Sequence, residues 1–154
     1  MDASHKYEVR VKCTRPRSGV VASDGVPRPI SFSAPPEFLG EPGVWTPEHF
    51  FVAAVATCYV STFSGMAEVS KFAFASLEVE AEATLEKDEN GWRFTEVRLR
   101  PALKIGREQD RERADRLLVK AERSCLVARS ISSKVTLEPS VSVVPESVVS
   151  EALS

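Results

Sequence analysis

The strongest constraint on this chain is the run FFVAAVATCYVSTFSGMAEV, residues 50–69, which is apolar on nearly every helical face. Immediately before it stands Thr46-Pro47-Glu48, a helix start with Thr46 as N-cap, proline at the first helical position and an acidic first turn. A helix apolar on so many sides is expected to be buried over most of its surface. The rest of the 154-residue chain offers little sheet to cover it, so association of two protomers is the expected remedy. The longest apolar stretch, Phe50 to Val60, is interrupted by Thr57 and reads as too short to span a bilayer.

Other segments alternate with the period of strands. His5, Tyr7, Val9, Val11 and Cys13 face one way, which predicts a half-buried strand over 5–13. TRPRSG, residues 14–19, is a turn, and short strands over 20–23 and 28–34 flank Asp24-Gly25. Residues 35–45 form a Pro/Gly-rich loop. Residues 76–88 alternate with Leu77, Val79, Ala81, Ala83 and Leu85 on one face, and Asn90-Gly91 marks a hairpin. The return strand changes phase near Thr95–Glu96, which predicts a bulge. Ala114, Leu117, Leu118, Ala121, Cys125 and Leu126 recur at helical spacing, predicting one helix over 107–129. A strand follows over 134–138. The fold class is therefore α+β, antiparallel sheets packed on two long helices. The expected organisation is a single domain over 1–142, with a tail over 143–154 that either adds an edge strand or stays disordered.

With 43% hydrophobic and 27% charged residues and a net charge of −2, the composition is that of a globular protein without a nucleic-acid surface. The polar opening MDASHKYEVR lacks the apolar run of a secretory leader, so a cytoplasmic location is expected. Three cysteines without CxxC spacing suit neither structural zinc nor a secreted disulfide framework. By location alone, Cys58, Cys125 and Cys13 each read as inert core thiols. Chemistry at Cys58 needs help from elsewhere. It lies far past the helix start, so the dipole contributes little, and the candidate cations are Arg15 and Arg17 in the turn after the first strand. Glu48 precedes Cys58 by about 15 Å along one helix axis, so a shared site would take Glu48 from a partner protomer.

TPEHFFVAAVATC resembles the pattern of the OsmC/Ohr family: (N/T)PE, a hydrophobic helix, and a cysteine ten residues after the glutamate. AERSCLVARSI followed by KVTLEPSV resembles that family's second-cysteine helix and closing strand, and RSGVVASDG its arginine-containing turn. The resemblance implies an intertwined homodimer with shared active sites and a cysteine-based peroxidase acting on organic hydroperoxides, and also on hydrogen peroxide. In that reading Cys58 is the peroxidatic cysteine, Cys125 the resolving cysteine, and Glu48 the partner of an active-site arginine. Arg17 is the best match for that arginine, with Arg15 competing. A dithiol such as a dihydrolipoyl group is the implied reductant, and no metal or cofactor is implied. The second cysteine is followed by Leu126 where the Ohr branch has proline, and His49 stands where another residue type is commoner. The alternative is a binding or redox-sensing protein of the same fold without efficient turnover. A thioesterase would rest on Glu48 and His49 alone.

Overall fold

The computed structural model describes residues 3–153, with side chains described up to Val149. The expected domain over 1–142 and tail over 143–154 begin and end on Met1, Asp2 and Ser154, which lie outside the described residues. The chain divides into two compact units, Met1–Phe51 and Val52–Ser154.

The first unit is a three-stranded antiparallel sheet in the order β1 (Arg10–Arg15), β2 (Ser18–Ser23), β3 (Val26–Ser33). Between β1 and β2 the chain reverses at Pro16-Arg17, and Arg17 adopts a left-handed φ of 63°. Gly19 follows because β1 approaches closely: a Cβ there would lie 2.1 Å from the Lys12 carbonyl oxygen. The half-buried strand expected over 5–13 is corrected. Only Arg10–Arg15 is strand, all of it exposed. Tyr7, Val9 and Val11 are 92%, 66% and 59% accessible. The reason is position: β1 is an edge strand, and nothing in its own unit covers its apolar row.

Helix α1 (Pro47–Val69) starts in this unit and runs on through the second. At 23 residues its length and composition would suffice to cross a bilayer, which the shorter count over 50–60 did not suggest. Its burial is also less than expected: Val55, Tyr59, Phe63 and Ala67 form one buried stripe, spaced by four residues. The rest of this apolar helix is half-buried or exposed in the single chain.

In the second unit β4 (Ser76–Asp88) and β5 (Gly91–Ile105) form a long antiparallel hairpin. Gly91 turns with φ 114°, and Asn90 N–H donates to Asp88 Oδ1 at 2.7 Å. Thr84 pairs with Glu96 and Leu85 with Phe94, so Thr95 is the extra residue of the expected bulge. Val97, Leu99, Pro101, Leu103 and Ile105 on β5 are buried. A crossover through α2 (Arg111–Ser124) returns the chain parallel to β5 as β6 (Lys134–Leu137), and β7 (Ser140–Val143) continues parallel along β5. The architecture is thus α+β, with a mixed rather than wholly antiparallel second sheet. A last helix, α4, spans Glu146–Leu153.

The helix expected over 107–129 is broken. After a 3-10 turn at Glu108–Asp110, α2 ends at Ser124, and Cys125 is extended (φ −66°, ψ 112°). A short helix α3 (Leu126–Arg129) follows. The stripe Ala114, Leu117, Leu118, Ala121 and Cys125 is buried as the spacing predicts, but the break turns Leu126 outward, to 67% accessibility.

One polar bond joins α1 to α2: the fully buried Tyr59 hydroxyl donates to the Leu118 carbonyl at 3.0 Å. Burial, with the charge of Glu122, holds the phenol far above its ordinary value, so it remains a donor. Tyr59→Phe is expected to cost about 1 kcal/mol in urea unfolding, with little change in the denaturant slope.

Candidate functional site

The two thiols of the second unit meet. Cys58 sits mid-helix on α1, partly exposed, while Cys125 is fully buried at the break between α2 and α3. They lie close enough for each to shift the other's pKa. Cys125 Sγ also approaches the Val55 carbonyl at 3.9 Å, one turn of α1 before Cys58. Cys58 Sγ approaches Thr62 Oγ1 at 3.9 Å, one turn after it.

The break at Cys125 does more than position a thiol. The first amides of a helix have no intrahelical acceptor. Here the N–H groups of Leu126 and Val127 point at Cys58. Burial pushes the Cys58 thiol up. Donors from Val127 N–H, the Cys125 thiol, the Thr62 hydroxyl and Leu126 N–H together outweigh it, and Cys58 falls below the ordinary thiol range. Cys125 moves the opposite way. Burial raises it, amides of Ala128 and Val127 offset part of this, and its bond to Cys58 and that thiolate's charge raise it further. One thiol is thus poised to ionise beside another held protonated.

The sequence pointed to a cation as the activator of Cys58. Within the second unit the donors are instead backbone amides and neutral side chains. Amide donors leave no trace in residue type, whereas Thr62 was legible as the i+4 neighbour of Cys58.

In the first unit, Arg15 donates to Glu41 Oε2 at 2.7 Å. Arg17, exposed, donates to the Phe38 carbonyl at 3.3 Å. Glu48 Oε2 is buried without a hydrogen-bond partner among the described residues. The turn carrying Glu48 is held by a reciprocal cap. His49 N–H donates to Thr46 Oγ1 at 3.1 Å, and Thr46 N–H donates to His49 Nδ1 at 3.1 Å. Histidine thus fills the position that Glu or Gln takes in a capping box, and the Trp45 ring meets its edge at 5.8 Å. Thr-x-x-His at capping-box spacing was the signal for this role. Cys13 is exposed and bonds the Arg15 carbonyl at 3.2 Å. Among the described residues no cluster of His, Cys, Asp or Glu could hold a metal ion.

A family model described as OsmC-like protein matches residues 40–140. The uncharacterized protein YmaD of Bacillus subtilis is 28% identical over 92% of this chain and 96% of its own length. The solved structure of an OsmC-like protein of unknown function from Vibrio cholerae superposes with a TM-score of 0.79, at 22% identity over 89% of this chain and all of its own. An organic hydroperoxide resistance protein OsmC from Legionella pneumophila, described as a predicted redox protein, superposes with a TM-score of 0.73. It is 26% identical, covering 92% of this chain and 99% of its own.

The amide contribution is separable from the fold. Cys125 already has the extended ψ required before proline, and Leu126 occupies the first helical position, where proline is tolerated. Leu126→Pro is therefore expected to fold normally yet lose one donor to Cys58. In the wild type, the pH midpoint for alkylation of Cys58 should lie below that of an ordinary thiol. In the variant it should move upward, as read by iodoacetamide rates across pH.

Proposed function

Since the chain belongs to the OsmC-like protein family, we propose that it is a thiol-dependent peroxidase that reduces organic hydroperoxides, with Cys58 peroxidatic and Cys125 resolving. The observation that carries this reading is the opposed pair of thiols, one lowered toward thiolate and its neighbour held protonated. The Cys58 thiolate attacks the distal peroxide oxygen, the O–O bond breaks, and the alkoxide leaves as the alcohol after taking a proton. Cys58 becomes a sulfenic acid. The Cys125 thiol then condenses with it, releasing water and forming a disulfide. A small dithiol, such as a dihydrolipoyl group, restores both thiols by exchange.

Arg17 supplies positive charge to the thiolate and the leaving oxygen, and Glu48 orients that arginine. The engagement of Arg15 by Glu41 supports Arg17 over Arg15 in this role. The unpartnered Glu48 oxygen supports a charge partner completed on assembly. The working form is a homodimer in the cytoplasm, where a reducing milieu keeps unpaired cysteines free for catalysis. Hydrogen peroxide is the poorer substrate, and no cofactor takes part.

Stoichiometric cumene hydroperoxide should consume both thiols and leave a Cys58–Cys125 disulfide by mass spectrometry. Cys58→Ser should abolish turnover with dihydrolipoamide, and Arg17→Gln should lower kcat/KM about a hundredfold. Both thiols unmodified after peroxide would sink the proposal. Single oxidation without turnover would instead favour a redox sensor of the same fold.

The shared site has its own test. Cys58→Ser and Glu48→Gln homodimers, each inactive, are mixed and allowed to exchange subunits. If Glu48 serves the partner's Cys58, one intact site per heterodimer should restore about a quarter of the wild-type rate. If both residues serve one protomer, the mixture stays inactive.

A further inference from the structure

The C-terminus of α1 ends in a motif that asks for glycine and receives lysine. Phe72 N–H donates to the Ala67 carbonyl at 2.8 Å and Lys71 N–H to the Glu68 carbonyl at 3.2 Å, the paired bonds of a Schellman cap. The residue at the left-handed position of that cap is Lys71, with φ 53°. Glycine adopts this conformation without steric penalty, whereas an L side chain does so at a cost. Here the two cap bonds hold the lysine in that conformation.

The Lys71 side chain lines a cleft of about 370 Å³ in the second unit, beyond the end of α1, which itself runs on the order of 16 Å from Cys58 to Val69. Arg113 lines it too, donating to the Ser70 carbonyl and lying 5.2 Å from the centroid of the Phe72 ring. Neither Lys71 nor Arg113 has a carboxylate partner among the described residues. Arg107, which also lines the cleft, grips Asp110 through two hydrogen bonds of 3.1 and 3.2 Å and reaches Glu146 at 3.9 Å. Among the described residues the cleft therefore presents two cations without a carboxylate partner, beside an Arg107–Asp110–Glu146 group that is itself net negative, so the lining as a whole is net positive.

We infer that this cleft binds the phosphate group of a small polar metabolite, held by Lys71 and Arg113. A guanidinium oriented on an aromatic ring presents its remaining N–H donors as a fork suited to phosphate oxygens, and the lysine adds a point charge. The volume exceeds that of a bare phosphate and leaves room for a hydroxylated body against Asp110 and Glu146. The site shares no residue with the thiol pair, so it does not depend on the peroxidase reading.

Inorganic phosphate is titrated into the full chain at constant ionic strength, followed by amide NMR shifts. Saturable shifts should centre on Phe72, Arg107 and Arg113. Lys71→Gly should weaken the phosphate response about tenfold while raising the thermal midpoint, because the cap then has its preferred residue. Arg113→Gln should weaken it comparably. Matched chloride giving the same shifts, or both variants binding phosphate as the wild type does, would overturn the assignment.

Discussion

The hydrogen bond from the Tyr59 hydroxyl to the Leu118 carbonyl fixes the register of α1 against α2. Tyr59 adjoins Cys58, and Leu118 lies two helical turns before Cys125, so the bond sets how far each thiol travels along its helix before they meet. Apolar packing of Val55, Phe63, Leu117 and Ala121 is non-directional and would tolerate a sliding of one helix along the other. A buried hydroxyl with one acceptor would not, because slipping by a turn leaves it without a partner. A residue with no part in thiol chemistry thus determines whether that chemistry is geometrically available.

Given that register, the extended conformation at Cys125 decides the electrostatics. An unbroken helix would have spent the amides of Leu126 and Val127 on carbonyls one turn back. The break frees them for Cys58 and turns the Leu126 side chain outward. The same kink places the Cys125 thiol as a donor to Cys58, so the resulting thiolate is stabilised by hydrogen bonds within one unit. The arginine of the proposed site would act on Cys58 beside these donors.

Much of this was legible in the sequence because side-chain patterns report it. The α2 stripe gave the burial of Cys125, the phase change near Thr95 gave the bulge, and Thr46-Pro47-Glu48 gave the start of α1. The break at Cys125 was not legible. No glycine or proline marks it, and the contacts that favour it come from Val55 and Cys58, far off in sequence. Periodicity also overstated burial twice. It finds which face of an element is apolar, but the covering surface is a property of the whole assembly. The apolar rows of β1 and of α1 are therefore real, and yet uncovered here.

Those uncovered rows and the orphaned Glu48 oxygen are two forms of one deficit. Apolar surface left on α1 outside the stripe Val55, Tyr59, Phe63 and Ala67 costs free energy in proportion to its area. A buried carboxylate oxygen without a donor costs more per atom, because it has lost water and gained nothing in return. Burying the helix against another apolar surface would answer the first deficit and leave the second untouched. Supplying a cation alone would do the reverse. A second copy of this chain carries both exposed apolar side chains, at Tyr7, Val9 and Val11, and an exposed arginine at Arg17. In the homodimer proposed above, association of two such chains would cover the helix and complete the charge pair in a single event.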